Sequence, residues 1–279
     1  MTDFFTRLGL ACADPNHLEV LIATLYIVFG FKELRLILPL LAFSRLFNIV
    51  LKFVVASPLP ESVCPAYGFA GYAFPSGHIH ISGIFYVWLI WSCTGFMRIL
   101  FCGIFIAVSA CEIIAGFHRI FDVCAAQFFA FSQYLGILKL RLSNTYKLLL
   151  LCGASVILVS IIFALDMRWY TDGNPYIYMT LYKIFGFCGG YICLNKIGFK
   201  SAILLPMSII GATSLFAQLS PLPFINQIKW IFIFAMLPVS KHALRYVLSM
   251  FEFVKGSSVN GVTFSMVFTR ADSFQRIDV

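Results

Sequence analysis

The sequence predicts an all-α fold, a polytopic transmembrane helix bundle of about nine spans. Of its 279 residues, 61% are hydrophobic and only 11% are charged, whereas a soluble domain carries roughly 25% charged residues. The apolar stretches are unbroken and lack the alternation of barrel strands, and only helices or closed barrels satisfy the backbone in lipid. This composition excludes an ordinary soluble globule and a disordered chain, so we expect a multi-pass integral membrane protein.

Apolar stretches divide the chain into helices and loops. The first stretch is short for a bilayer crossing of about 20 residues, and the third opens just after a proline. We expect one integral membrane domain at 1–255, with a motif-bearing core at about 34–138, extra C-terminal helices at about 148–250, and a polar cytoplasmic tail at 256–279. The expected spans are 18–31, 34–57, 78–97, 99–117, 120–138, 148–165, 175–194, 201–219 and 222–240.

The basic residues are distributed unevenly between the two sets of loops. Most of them, such as Arg98, Lys139 and Arg141, fall in one set, which the positive-inside rule assigns to the cytoplasm. The loop 57–77 and the turn at His118 then face the periplasm, the exterior or an organelle lumen, unless one span is miscounted. Because the basic residues form no single basic face, the net charge of +8 does not indicate a nucleic-acid partner.

The segment Pro75-Ser76-Gly77-His78 separates a Gly-containing loop from an apolar helix. Proline suits the first position of a helix, where its missing N–H costs nothing. Free amides at a helix N-terminus bind phosphate, and the glycine lets an oxygen approach the backbone. The histidine can donate a proton near neutral pH. The segment therefore predicts a phosphate site with an acid, although a plain capped helix start is the alternative.

Two further features fall on the same predicted side of the membrane. His118 and Asp122 are four residues apart, so a carboxylate can orient the imidazole and leave one ring nitrogen as a nucleophile. Lys52 lies inside an apolar stretch, about one turn from its outer end, where it either extends to the surface or holds an anion. Ionisable groups at membrane depth are costly and usually functional, which favours a catalytic interpretation.

In this order, the three features resemble the motifs of the type 2 phosphatidic acid phosphatase superfamily, which read K-x6-R-P, P-S-G-H and S-R-x5-H-x3-D. That superfamily includes lipid phosphate phosphatases, polyprenyl diphosphate phosphatases, glucose-6-phosphatase and vanadium haloperoxidases. The resemblance covers residues 48 to about 126, and its second motif is complete. The expected nine-span layout with an outward-facing site is also similar to glucose-6-phosphatase.

The resemblance implies a role for each matching residue. His118 is implied to be the nucleophile that takes the phosphoryl group as phosphohistidine, and Asp122 to orient it. His78 is implied to protonate the leaving oxygen and then to activate water. No metal and no organic cofactor is implied, since positioning and positive charge suffice for phosphoryl transfer. The implied phosphate ligands are Lys52, Ser76 and Gly77.

Both phosphate-binding arginines of these motifs are absent, because Leu59 and Glu112 stand at their positions. Arginine suits bidentate phosphate binding, and losing one such donor costs about 3 kcal/mol by analogy with oxyanion holes. In one explanation Arg119 supplies a replacement cation, and Glu112 orients Arg119 or Lys52. In a second, the reaction has changed to phosphotransfer between lipids, as in sphingomyelin synthases, which resemble this pattern. In a third, the chain is a silent relative that binds lipid, which the intact histidines and aspartate argue against.

We therefore expect a membrane-embedded phosphatase that hydrolyses a lipid phosphate or diphosphate, or a sugar phosphate, through a phosphohistidine. Its expected partners are the phosphorylated substrate and the lipid bilayer. A metal pair of His78 with His80 is not expected, because residues two apart do not share a helix face.

Overall fold

The computed structural model describes residues 9, 11–28, 33–60, 72–164, 176–197 and 229–254. Within these ranges the chain is helical and contains no strand, which confirms the predicted all-α class. The predicted span 201–219 and the predicted tail 256–279 lie outside the described residues. The helices are α1 (Pro15–Val28), α2 (Leu34–Val55), α3 (Gly77–Ser92), α4 (Gly95–Ile114), α5 (Ile120–Lys139), α6 (Asn144–Ala164), α7 (Tyr176–Ile197) and α8 (Lys229–Val254).

Among the residues that the structure describes, four helices, α2, α4, α5 and α6, are long and apolar enough to cross a membrane. Helix α2 is mostly buried by its neighbours, whereas α4 exposes Phe96, Ile99 and Ile106. Contiguous exposed apolar surface of this kind is unusual on a soluble monomer and fits lipid contact. The structure therefore agrees with an integral membrane protein, while the count of nine spans stays a prediction.

Helix α3 lies at the centre of the bundle, packed against α2, α4 and α5. Every residue from Ile79 to Leu89 is buried, so its continuous hydrophobicity reflects burial by protein on all sides. Gly83 allows the close approach of α5, because a Cβ there would lie 2.8 Å from Ala130 Cβ. The sequence prediction of one helix at 78–97 was too long: α3 ends at Ser92, and Gly95 at φ +56° starts α4 in a new direction.

Helices α7 and α8 form a second tightly packed unit that contacts the core through α1, α2 and α6. Gly186 and Gly190 are four residues apart, and a Cβ on either would overlap the backbone of Ile231 or Ala235 in α8. Small residues at this spacing let helix backbones pack closely in membranes. The predicted span 222–240 corresponds to a longer helix, since α8 continues through Pro238 to Val254.

The end of α2, the start of α3, the end of α4 and the start of α5 meet at one end of the bundle. Ala73 N–H donates to the Ser57 carbonyl at 2.8 Å, joining the chain before α3 to the end of α2. Ser76 N–H donates to the Asp122 carbonyl at 3.2 Å, joining the start of α3 to the first turn of α5. These bonds bring the sequence motifs together.

Candidate active site

Ser76 is the N-cap of α3, and its hydroxyl oxygen accepts the Ile79 N–H at 3.4 Å. Pro75 therefore precedes the cap, and Gly77 is the first helical residue, two positions later than a proline start would give. The amides of Gly77 and His78 have no intrahelical partner at this position. A polar N-cap followed by these amides gives the local field that attracts an anion.

His118 precedes α5 and lies against two carboxyl groups. Its Nδ1 is 4.0 Å from Asp122 Oδ2, and its Nε2 is 3.7 Å from Glu112 Oε2. Asp122 is fixed by the backbone, because its Oδ2 accepts the Arg119 N–H at 2.9 Å. The predicted meeting of His118 with Asp122 is thus present at ion-pair distance, and a shift of about 1 Å would make it a hydrogen bond.

Glu112 connects the two histidines of the site. Its Oε1 is 3.6 Å from His78 Nδ1, while its Oε2 faces His118. The side chain is 1% exposed, and within the described part of the chain neither oxygen has a hydrogen-bond partner. A buried carboxyl group without hydrogen-bond partners is costly, and the nearest nitrogens of the two imidazoles lie 3.6 and 3.7 Å from it. Glu112 therefore holds a position between the histidines, where the motif resemblance has a phosphate-binding arginine.

The ionisation of His118 is set by its surroundings. Burial, the charge of Lys52 and the neighbouring His78 lower the pKa of His118 to about 3, and a hydrogen bond with the Ala73 backbone opposes this. The imidazole is therefore neutral at physiological pH. A neutral ring keeps a lone pair for attack on an electrophile, as a nucleophilic histidine requires.

Lys52 lies in the last turn of α2 and is half-buried. Its ammonium donates to the Tyr72 carbonyl and, at 3.4 Å, to the Ala73 carbonyl. It also lies close enough to Glu112 and Asp122 to interact with both electrostatically. Lys52 therefore supplies positive charge to the site and anchors the chain that enters α3.

Arg119 is exposed at the N-cap of α5, and its described contact is the backbone bond to Asp122. The predicted arrangement of Glu112 orienting Arg119 is not present, because Glu112 faces the histidines. Among the described residues, no group of three or more His, Cys, Asp or Glu side chains is placed to hold a metal ion.

A buried polar network behind the site was not predicted from the sequence. His80 Nε2 lies 3.1 Å from Gln133 Oε1, and His80 Nδ1 lies 3.2 Å from Asn48 Nδ2. Asn48 also donates to the Pro75 carbonyl at 3.4 Å, and Ser44 donates to Gln133 at 2.6 Å. The network fixes the turn before α3 from α2 and α5. Its signal in the sequence was only a set of polar residues within apolar stretches.

Comparisons with known proteins add no relative. No protein-family model matches the sequence, and no curated protein or solved structure is significantly similar to it. The resemblance to the phosphatase superfamily therefore depends on the motifs.

Proposed function

We propose that the protein is a membrane-embedded phosphatase that hydrolyses a lipid phosphate or diphosphate through a phosphohistidine. The observation that carries this proposal is the proximity of His78 in α3, His118 in the turn before α5 and Asp122 in α5: Glu112 lies between the two histidines, and Asp122 lies beside His118. A neutral imidazole beside a carboxylate, with a second imidazole across Glu112, provides both a nucleophile and an acid–base group.

The reaction follows from these positions in two steps. A ring nitrogen of His118 forms a bond to phosphorus as the P–O bond to the lipid breaks, and His78 gives its proton to the leaving oxygen. Water then attacks the phosphohistidine, His78 takes one of its protons, and inorganic phosphate leaves. Asp122 stabilises the imidazolium that forms, and Lys52 and the first-turn amides of α3 oppose the charge on the phosphoryl oxygens.

The surroundings of the site favour a lipid substrate. Ile120 and Phe121, which follow His118 and Arg119, are 65% and 71% exposed. The Phe121 ring stacks on Phe74, which precedes the Pro75 turn, with centroids 5.3 Å apart. An apolar surface thus borders the site on the side of the candidate spanning helix α5, where acyl or prenyl chains in the bilayer can lie. A soluble sugar phosphate would gain nothing from this surface.

A second candidate is a lipid phosphotransferase, and the position of Glu112 favours it. A phosphate monoester brings nearly two negative charges toward that buried carboxyl, whereas a phosphodiester brings one. Without the motif arginines, the diester meets less repulsion. In this reaction a lipid hydroxyl replaces water in the second step, and His78 takes its proton.

The test uses purified full-length protein with phosphatidic acid and prenyl diphosphate in mixed micelles. We expect phosphate release by the wild type and at least a thousandfold loss in His118→Ala, with His242→Ala, an exposed histidine of α8, as the matched control. Equal phosphate release by the wild type and His118→Ala would contradict the phosphatase, and equal head-group transfer by the two would contradict the transferase. A phosphodiester lipid whose head group moves to an added acceptor lipid, without phosphate release, would establish the transferase.

A further inference from the structure

A charged cluster lies deeper in the bundle than the histidines. Lys183 of α7 donates a hydrogen bond to the Glu19 carboxylate of α1, and Arg45 Nη1 of α2 lies 3.7 Å from the other oxygen of Glu19. All three side chains are at least 88% buried. Ionisable groups buried within a membrane helix bundle are costly and usually mark a functional path.

The cluster contains more positive than negative charge. Two cations share one carboxylate, and Lys183 forms the shorter contact with it. Within the described residues Arg45 Nη1 is buried and has no hydrogen-bond partner. A buried charged donor without a hydrogen-bond acceptor is costly, so Arg45 is the cation of the cluster best able to bind a further anion.

Arg45 is also placed toward the candidate active site. It precedes Lys52 by seven residues, or two helical turns, so both side chains project from one side of α2. Asn48, between them, contacts the Pro75 carbonyl, which shows that this side faces the turn before α3. His78 interacts electrostatically with Arg45 and Lys52 as well as with Asp14. The same imidazole therefore experiences the charge of both cations.

We propose that Arg45 is a phosphate-binding residue of this site, engaging a non-bridging oxygen of the substrate phosphate opposite Lys52. This inference rests on the proposed function. In it, the Arg45 guanidinium supplies a charge of the kind that the sequence lacks at Leu59 and Glu112. A guanidinium suits this role because its fork of donors matches phosphate oxygens. The ion pair with Glu19 at 3.7 Å restricts the position of Arg45.

The test measures binding of orthovanadate, a phosphate mimic, to the full chain in lipid nanodiscs by titration calorimetry. We expect Arg45→Gln to raise the Kd at least tenfold and Arg45→Lys to raise it less. The matched control is Arg35→Gln, which removes an arginine from the opposite end of α2, where it contacts Tyr191, and should leave the Kd within twofold. Thermal unfolding of each variant checks that it is folded, and Arg45→Lys keeps the charge should the glutamine variant not fold.

Wild-type vanadate affinity in folded Arg45→Gln, or an equal loss in Arg35→Gln, would overturn the inference. Lipid-phosphate turnover measured in parallel distinguishes failure of this inference from failure of the proposed function. Turnover that requires His118, with vanadate affinity independent of Arg45, overturns the inference alone. Vanadate binding that requires Arg45, in a protein without turnover, overturns the proposed function and supports the anion site.

Discussion

Glu112 Oε2 lies 3.7 Å from His118 Nε2, on the side of the imidazole opposite Asp122. The proposed nucleophile thus has a carboxyl group near each ring nitrogen, and one of these carboxyl groups also reaches His78. A substrate phosphate must either share this space with Glu112 or displace it. The charge and hydrogen bonding of Glu112 therefore decide how the site treats an anion.

Replacing Glu112 with glutamine should lower turnover at least tenfold, or about 1.4 kcal/mol of transition-state stabilisation. An amide cannot stabilise imidazolium charge on both His78 and His118 as a carboxylate can. The measurement is kcat on phosphatidic acid, with Glu33→Gln at the start of α2 as the control. Higher kcat in Glu112→Gln would mean that the carboxylate only repels the substrate, and Leu59→Arg with Glu112→Arg should then be more active still.

Replacing Asn48 with leucine should destabilise the fold by about 1–3 kcal/mol, because the Pro75 carbonyl and His80 Nδ1 lose their partner in a buried place. The turn before α3 carries Ser76, so kcat should fall as well. Thermal unfolding in detergent measures the first effect. Asn16→Leu, at an exposed position of α1, should change neither quantity, and equal behaviour of the two variants would remove Asn48 from the site.

Stability should depend on pH through His118, whose pKa is lowered to about 3 from an ordinary value of 6.5. Below pH 6.5 the unfolded chain binds a proton that the folded chain does not. The free energy of unfolding therefore decreases as the pH falls from about 6.5 toward 3, by at most about 1.4 kcal/mol per unit.

Chemical unfolding at pH 7.5 and pH 5 measures this effect. His118→Gln should lose about 2 kcal/mol less stability than the wild type between these values. The exposed His242→Gln variant should behave like the wild type, and so would His118→Gln if His118 titrated normally in the folded state.

Replacing Gly186 with alanine should unfold or loosen the α7–α8 unit, because its Cβ would overlap the Ile231 carbonyl. We expect a loss of more than about 2 kcal/mol, at the upper range for overpacking. Gly103→Ala in α4, where a Cβ meets nothing within 4 Å, should be neutral or slightly stabilising. Similar thermal unfolding of the two variants would contradict the close packing.

The helix α2, predicted at 34–57 and observed at Leu34–Val55, shows what hydrophobic pattern can predict. The residue types near each end determine where α2 begins and ends, and the same holds for α5. The boundary between α3 and α4, predicted at residue 98, lies at Cys93 and Thr94, because it depends on the left-handed backbone of Gly95, which apolar content does not reveal. Close helix packing at Gly186 likewise depends on a partner far along the chain.

In the candidate site, the spacing of His118 and Asp122 predicted their approach because both lie on one short segment. The place of Glu112 could not be predicted in this way. The chain leaves α4 through Ala115 and Gly116, the latter at φ +75°, and Phe117 N–H returns to the Glu112 carbonyl at 3.1 Å. This reversal directs Glu112 toward the histidines, whereas a continued helix would have aligned it with Arg119.

The hydrogen bond from Ser76 N–H to the Asp122 carbonyl joins the two motifs of the proposed site through main-chain atoms alone. No side-chain replacement can delete either atom, apart from a proline at position 76. The relative placement of the proposed acid, His78, and the proposed nucleophile, His118, is therefore set by the backbone, whichever cations surround them. A protein built on such a frame can exchange its phosphate-binding groups, and with them its preferred substrate, while the two histidines keep their relative placement.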